Sequence, residues 1–432
     1  NGKMPVHGWT PVTVPGAPMA WAELSRGFGR LPLSQALAPA VRYAREGYPC
    51  SPNLAVMWKN ALSSYQRTCT GAAFDEWYRT FAPDGRPYEA GDLIRLPYHA
   101  DTLEAIGATN AAAFYTGDIA RKIDAASRQY GGYLRYEDLA AYQARWVEPI
   151  WVDYRGYRVC EIPPNGQGIV ALMALNILKE FSFPEKDCAD TYHRQLEAMK
   201  MAFADAFRYV TDPDHMELDY WQLLSPTYGA QRAAQMGRTA QIYSHGIPPK
   251  SGTVYLCCGE GNMVSYIQSN YMGFGSGIVV PGTGVSLQNR GHDFSLDSKD
   301  ANCLKPGKRS YHTIIPGFLL RGDGTPVGPF GVMGAYMQPQ GHVQVVMNYV
   351  DFHLDPQQAL DAPRWQWMRD NTVTVESRFD PELARLLQQR GHQVRVDLST
   401  PSFGRGQMIV RLDNGVLVGG TESRTDSNIA CF

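Results

Sequence analysis

Apolar residues recur at helical spacing through the first part of the chain. Residues 33–48, LSQALAPAVRYAREGY, show the pattern clearly, and it returns in residues 101–132. The runs at residues 169–179 and 190–210 are longer and more apolar. Because positions three and four apart share one face of a helix, these four segments predict helices that pack on a core.

Alternation with a period of two, which is typical of β-strands, appears at residues 150–162 and dominates the later part of the chain. Residues 253–270, TVYLCCGEGNMVSYIQSN, predict a β-hairpin whose turn is GEGN. Further strands are predicted at residues 312–321, 343–350, 372–377, 392–398, 406–412 and 415–422. Two helical patterns, residues 354–364 and 380–391, interrupt this strand-rich part.

The two patterns meet at Gly252/Thr253. Residues 223–251 before this point are polar and rich in glycine and proline, which predicts a mobile segment. The chain therefore divides into a helix-rich part, residues 1–252, and a strand-rich part, residues 253–432. Taken alone, a threonine at the start of a strand is most simply a β-forming residue.

Composition excludes several classes of partner. The chain has 432 residues, of which 44% are hydrophobic and 19% charged, and its formal net charge is -2. This balance offers no basic field for nucleic acid or anionic lipid, so we expect neither as a partner. The longest apolar run, residues 168–178, is too short to span a membrane.

The cysteine pattern and the first residues of the sequence give evidence about the cellular compartment of the protein. The eight cysteines show no CxxC spacing, which excludes a zinc or thioredoxin-type motif and favours a reducing compartment. The chain opens on NGKMPVHGW without a leader, so a targeting peptide is expected to be absent or removed. We therefore expect a cytoplasmic protein, with a periplasmic or secreted location as the alternative.

Common catalytic signatures are missing from the sequence. It contains no GxGxxG, GxxxxGK[ST], HExxH or GxSxG motif. The histidines His193, His292, His312 and His342 have no spacing that would pair them as metal ligands.

Seven sequence blocks resemble the γ-glutamyltranspeptidase family, in family order and nearly end to end. They are VPGAPMAWAELSRGFGRLPLSQALAPAVRYAREGY, GGYLRYEDLAAY, YRGYRVCEIPPNGQG, FGSGIVVPGTGVSLQNRGHDFSLD, PGKRSYHTIIP, FGVMGAYMQPQGH and LDAPRW. The nearest branch is bacterial, with glutathione-hydrolase-like and cephalosporin-acylase-like members. The resemblance implies an α+β fold of the N-terminal nucleophile hydrolase type. That fold is a four-layer αββα sandwich, and we expect one sheet from each fragment of a self-cleaved chain.

The resemblance also implies self-cleavage between Gly252 and Thr253. The two fragments, residues 1–252 and 253–432, would together form one catalytic domain, and the segment before the cut could swing clear. Cleavage frees the α-amine of Thr253, whose pKa near 7.7 to 8 lets it take the proton of its own hydroxyl. One residue would then be both nucleophile and base, and no metal or organic cofactor is required.

Three other catalytic positions follow by residue-by-residue resemblance. Ser269 matches a hydroxyl that holds the amine of the nucleophile. Gly334 and Ala335 match paired glycines whose backbone N–H groups form an oxyanion hole, a type of donor that contributes about 3 to 4 kcal/mol to acyl transfer. Ala335 stands where the family has glycine. Its backbone N–H is still available as an oxyanion donor if the backbone conformation permits.

The substrate-binding positions depart further from the family pattern. Asp293 matches the aspartate that binds the α-amino group of the substrate, and His312 and Thr313 match a Ser-Ser pair that contacts the α-carboxylate. Tyr271 and Arg290 stand where better-known members have Asn and Gln. The segment at residues 294–306 is shorter than in family members that have a lid loop over the site, which predicts a more open pocket.

These matches predict an enzyme that cleaves γ-glutamyl amides such as glutathione, by hydrolysis more than by transpeptidation. An acylase for glutaryl or other dicarboxylate-like amides is the nearest alternative, favoured by Arg290 and His312. A non-catalytic scaffold on the same fold is another. The partners expected are a small amide substrate, the chain's own cleaved fragment as a heterodimer, and a dimer of such heterodimers. In the family, an arginine upstream of the VPGA block grips the substrate carboxylate, and this sequence starts too late to show it.

Overall fold

The computed structural model describes residues 2–248 and 262–431. Contacts divide the chain into two compact units. The first comprises Asn1–Trp146 and Gln268–Leu296, and the second comprises Val147–Ile267 and Asp297–Phe432. Gly252 and Thr253 lie outside the described residues, so the division into fragments at this bond stays a prediction.

The first unit is mainly helical in its described part. Its elements are α1 (Ala17–Phe28), α2 (Leu33–Glu46), β1 (Tyr48–Pro49), α3 (Pro52–Thr68), α4 (Asp75–Phe81), β2 (Leu93–Ile94), α5 (Pro97–Thr109), α6 (Ala112–Tyr115), α7 (Asp118–Gln129) and α8 (Tyr136–Ala140). Helix α2 ends at Glu46 and is followed by Gly47, whose φ of 102° is a conformation that residues other than glycine rarely adopt. The predicted helices at residues 33–48 and 101–132 are confirmed.

The returning segment of the first unit, residues 268–296, is anchored by apolar side chains. Phe274 lies among Trp58, Trp77 and Phe81, with ring centroids 5.3, 5.3 and 4.5 Å away. Each such buried aromatic pair adds about 0.5 to 1.5 kcal/mol to the burial of its surface.

The second unit mixes helices with two sheets. Its elements are β3 (Ile150–Tyr154), β4 (Tyr157–Glu161), α9 (Gly168–Leu178), α10 (Ala189–Tyr209), α11 (Pro226–Ala233), β5 (Gly317–Arg321), β6 (Pro326–Met333), α12 (Met337–Val350), α13 (Pro356–Asp361), β7 (Trp365–Arg369), β8 (Thr372–Glu376), α14 (Pro381–Gln389), β9 (Gln393–Asp397), β10 (Arg405–Arg411) and β11 (Leu417–Thr421). The larger sheet is antiparallel with strand order β11-β10-β6-β5-β4-β3, and the smaller has the order β7-β8-β9. The predicted α+β class is confirmed. Among the described helices, none combines the length and apolar character that crossing a bilayer requires.

The core of the second unit lies on one face of the larger sheet. Every residue of α9 is buried, and Tyr349 is the one residue of α12 that is not. Helix α12 approaches β6 closely because Gly341 has no side chain: a Cβ there would lie 2.6 Å from Val332 Cγ1. Burying each large aliphatic side chain in such a core contributes about 1.5 to 3 kcal/mol.

The prediction of a strand at residues 343–350 is wrong, because these residues form the last two turns of α12. The run VQVVMNYV is rich in β-branched residues, which favour strands in isolation. Because the helix is buried on almost every side, it needs no polar face, and the apolar run loses its helical period. Tertiary burial overrides the local preference here.

The hairpin prediction fails in its described half. Residues 262–270 form no strand in the structure, although exposed and half-buried side chains alternate from Asn262 to Gln268 as they would along one. The hydroxyl of Ser265 donates to the carbonyl of Phe330 on β6, at 3.4 Å. The predicted partner strand and the turn, residues 253–261, lie outside the described residues.

Two further expectations need correction. The larger sheet is not built from one fragment, because it combines β3 and β4 from before Gly252 with β5, β6, β10 and β11 from after Thr253. The described part of the segment predicted to be mobile, residues 223–248, is not simply a loop, because it includes α11. Arg232 of this helix is buried and forms an ion pair with Asp205, at 3.2 Å.

Candidate active site

Four predicted site residues come together in the first unit. The phenol of Tyr271 donates to Asp293 Oδ1 at 2.5 Å, and the Tyr271 N–H donates to Ser269 Oγ at 2.8 Å. The guanidinium carbon of Arg290 lies 4.6 Å from the centre of the Tyr271 ring, a cation–π distance. Tyr271 thus connects the other three residues, a role that its sequence position alone did not indicate.

The turn that carries Arg290 and Asp293 is fixed by the N-terminal residues of the same unit. The side-chain amide of Asn289 donates to the Val6 carbonyl at 2.9 Å, and the Gly291 N–H donates to the Pro11 carbonyl at 2.8 Å. A Cβ on Gly291 would lie 2.8 Å from that carbonyl oxygen, so the close approach requires glycine. These anchoring roles of Asn289 and Gly291 were missed in the sequence.

Burial and charge act in opposite directions on Asp293. Desolvation raises the pKa of the Asp293 carboxyl, while the Tyr271 hydrogen bond and the positive charge of Arg290 oppose that rise. Tyr271 has a φ of 76°, a left-handed conformation that is uncommon for a residue with a bulky side chain. Such strain, of about 1 to 3 kcal/mol, persists only where the surroundings hold the residue in place.

The second unit holds four more predicted site residues, in two described segments. Strand β6 ends at Met333 and is followed by Gly334, with a φ of 149°, and Ala335, with a φ of 50°. Within residues 2–248 and 262–431, neither the Gly334 nor the Ala335 N–H donates a hydrogen bond to another residue. Two successive amides are therefore left for an external acceptor, as an oxyanion hole requires. Ala335 keeps its N–H in the left-handed region, at a cost of about 1 to 2 kcal/mol.

His312 and Thr313 form the second segment. The His312 N–H donates to the Asn165 carbonyl at 2.9 Å, and the Ile314 N–H donates to His312 Nδ1 at 3.1 Å. Nδ1 is therefore an acceptor, and a proton on a neutral ring resides on Nε2. Thr313 is buried.

Gln167, which was not singled out in the sequence, joins these two segments. Its side-chain amide donates to the Ala335 carbonyl at 2.7 Å and to the Thr313 carbonyl at 3.0 Å. The only signal for it in the sequence is its place in the block IPPNGQG, residues 162–168.

Aromatic side chains flank both segments. Tyr311 and Tyr336 stack with ring centroids 6.1 Å apart, and Phe207 lies 5.9 Å from Tyr336. Phe207 is 52% exposed. A cluster of aromatic rings beside Ala335 suits amides whose amine part is aromatic.

The described structure also brings together His193, Glu197 and His392, which sequence spacing did not pair. His193 Nδ1 and His392 Nε2 share a hydrogen bond of 2.9 Å, and Lys200 Nζ lies 2.6 Å from Glu197 Oε1. Burial lowers the pKa of His392 to about 3. A metal ion here would compete with the Lys200 ammonium for Glu197, so the group is better explained as an internal polar brace.

Comparison with known proteins gives consistent matches. A family model described as Gamma-glutamyltranspeptidase matches residues 1–432. The crystal structure of a cephalosporin acylase from Bacillus halodurans is similar with a TM-score of 0.96 and 56% identity, covering 100% of this chain and 80% of that chain. The glutathione hydrolase-like YwrD proenzyme of Bacillus subtilis (strain 168) is 34% identical over 426 residues, 96% of this chain and 79% of the relative. The oxamate amidohydrolase proenzyme of Klebsiella pneumoniae is 32% identical over 435 residues, 98% of this chain and 81% of the relative.

These matches confirm the predicted resemblance and the N-terminal nucleophile hydrolase fold. They do not select one substrate, because the names of the three relatives refer to cephalosporin, glutathione and oxamate. A shared fold supports several chemistries, so the substrate must be argued from the side chains of the site.

Proposed function

The chain belongs to the γ-glutamyltranspeptidase family, and from this premise we propose that it is a self-cleaving amide hydrolase with Thr253 as nucleophile. The Thr253 hydroxyl attacks the amide carbonyl and passes its proton to its own α-amine. The C–N bond breaks, the leaving amine takes that proton, and an ester on Thr253 remains. Water then attacks the ester, which releases the acid and restores the hydroxyl.

The observation that carries this proposal is the pair of amides at Gly334 and Ala335. They follow β6 directly, and within the described ranges of the chain their N–H groups donate to no other residue. Two such donors suit the oxygen that becomes negative when the carbonyl is attacked. Because they are held between a strand and a helix, they need little reorganisation during the reaction.

For the acyl group we propose a dicarboxylate type such as glutaryl. A γ-glutamyl group differs from a glutaryl group by its α-ammonium, which Asp293 would have to bind. Asp293 Oδ1 already accepts the Tyr271 phenol at 2.5 Å, and the Arg290 cation, stacked on that phenol ring, would repel an ammonium. An acyl chain with a carboxylate and no ammonium suits these charges better.

Hydrolysis of γ-glutamyl amides is the second candidate. It is supported by Asp293, which matches the family residue for the α-amino group, and by the relative named glutathione hydrolase-like. The two candidates share the nucleophile and the oxyanion donors and differ only in how the far end of the acyl chain is bound.

Replacing Arg290 with glutamine is expected to shift the preference toward γ-glutamyl substrates. Removing one cation near a bound ammonium should change the ratio of kcat/KM for glutaryl and γ-glutamyl p-nitroanilide by about 10-fold or more, equivalent to about 1.4 kcal/mol. Wild-type enzyme should prefer the glutaryl anilide. The measurement is kcat/KM for both anilides with the wild type and R290Q.

The matched control is Arg45→Gln, which removes an exposed arginine of α2 paired with Glu104 and Asp101. It should leave the ratio unchanged. A wild type that prefers the γ-glutamyl anilide, with the same ratio in R290Q, would select the second candidate.

We also propose that the active form is a heterodimer of the two cleaved fragments, able to pair with a second heterodimer, in the cytoplasm. The first part is supported by relatives named proenzymes. The location rests on the unpatterned cysteines of the sequence. Light scattering of purified protein and fractionation of producing cells test these two points.

A further inference from the structure

Gln167 lies between β4 and α9 and is fully buried. Its backbone N–H donates to the His312 carbonyl at 2.8 Å. Its side-chain nitrogen has two hydrogens, and both are used on carbonyl oxygens, those of Thr313 and Ala335. The hydroxyl of Tyr311 approaches Gln167 Oε1 at 3.4 Å. One side chain therefore contacts each of the two segments that carry candidate site residues in the second unit.

The two acceptor carbonyls belong to opposite ends of the proposed acyl-binding site. Thr313 matches a residue that contacts the substrate carboxylate, whereas Ala335 provides an oxyanion donor. Because one amide nitrogen bonds both carbonyls, the spacing between the two segments is limited to the reach of that amide. The distance from the reacting carbonyl to the far carboxylate of a bound acyl chain is then limited in the same way.

We infer that Gln167 is a positioning residue that sets this spacing and thereby selects the length of the acyl chain. The inference rests on the proposed function. A group buried with both its donors satisfied loses little freedom when substrate binds, so it can hold two segments at a fixed separation. Gln167 is proposed to act through the Thr313 and Ala335 carbonyls and not by touching the substrate.

Strand β6, which precedes Gly334, is also held by contacts that do not involve Gln167. His342 Nε2 accepts the N–H of Val332 at 3.0 Å, and His342 Nδ1 donates to Glu161 Oε1 at 2.6 Å. Both Glu161 and His342 are buried. These bonds hold β6 at Val332 when Gln167 is changed, so a variant at Gln167 should fold, whereas the Gly334–Ala335 segment beyond β6 loses its tie to Gln167.

The test compares hydrolysis of succinyl, glutaryl and adipyl p-nitroanilides by the wild type, Gln167→Met and Gln167→Glu. In Q167M the kcat for the best substrate should fall about 10- to 100-fold with a smaller change in KM, and the preference for one chain length should flatten. In Q167E a carboxylate would face two carbonyl oxygens. Its activity relative to wild type should recover as the pH is lowered and the carboxyl becomes a donor.

The control variant is Gln344→Met. Gln344 is also buried in the second unit and donates to two carbonyls, those of Gln340 and Trp365, at 3.0 Å each. Q344M should lose stability without changing the chain-length preference. If Q167M keeps the wild-type kcat and preference, or if Q344M changes the preference equally, the inference is overturned. If the wild type hydrolyses none of these amides or the γ-glutamyl anilide, the proposed function fails instead.

Discussion

Replacing Thr253 with alanine is expected to leave a single uncleaved chain and to remove amide hydrolysis. The hydroxyl would be needed twice, first to attack the carbonyl of Gly252 and then to attack substrate. Loss of a catalytic nucleophile lowers kcat by at least about 10³-fold, and the remaining binding groups cannot compensate. The measurements are a denaturing gel of the purified variant and its turnover of the preferred anilide.

Thr253→Ser is the matched control because it keeps a hydroxyl and loses only a methyl group. It should still cleave, more slowly, and retain measurable turnover. Cleavage and turnover of the alanine variant at the wild-type rate would mean that another residue is the nucleophile.

Replacing Glu422 with glutamine is expected to destabilise the protein by about 3 to 5 kcal/mol. Glu422 is buried and bonds two arginines, with Oε1 2.8 Å from Arg424 Nη1 and Oε2 2.9 Å from Arg364 Nη2. Burial opposes its ionisation, but Arg364 and Arg424 hold the pKa of Glu422 below its usual value. The neutral variant would leave the buried Arg364 guanidinium without its carboxylate partner, while Arg424 keeps its ion pair with Glu376. The measurement is the free energy of unfolding from urea titration.

The effect should extend to the candidate site because Arg364 also donates to the carbonyls of Phe403 and Gly404, at 3.1 and 3.0 Å. A Cβ on Gly334 would lie 3.1 Å from the Gly404 Cα, so these residues form the wall behind the predicted oxyanion donors.

Glu382→Gln is the control for Glu422→Gln. Glu382 pairs with Arg385 on the exposed surface of α14, where solvent screens the two charges and the ion pair contributes little to stability. Equal losses of stability in the two variants would show that the buried charge network does not contribute as described.

The helices with strong local periodicity were predictable to within a residue or two. The pattern at residues 169–179 corresponds to α9, Gly168–Leu178, and the pattern at residues 190–210 corresponds to α10, Ala189–Tyr209. Both are long apolar or amphipathic runs whose ends are marked by polar or turn residues, so local information suffices.

Elements whose conformation depends on burial were not predictable in the same way. Helix α12 resembles a strand because its residues need no polar face. Strand β6, PVGPFGVM, was overlooked because its two prolines and two glycines read as loop signals. Gly328 nevertheless belongs in this strand, since a Cβ there would lie 1.9 Å from the Ile409 carbonyl oxygen on β10.

The candidate site was also only partly predictable from the sequence. Resemblance indicated which residue types to examine at Ser269, Asp293, Gly334 and Ala335, and these roles stay predictions. The contacts that organise the site join residues far apart in the chain. Gln167 bonds a carbonyl 168 positions later, and no local pattern encodes such a contact.

We propose that cleavage frees an amine on the residue that also supplies the attacking oxygen. Intact-mass measurement of purified wild-type protein, with sequencing of the N-terminus of the smaller chain, tests it most directly. We expect two chains, one of which begins at Thr253. A single chain that stays uncut under all conditions, as expected of a non-catalytic scaffold, or a new N-terminus at any other residue, would contradict it.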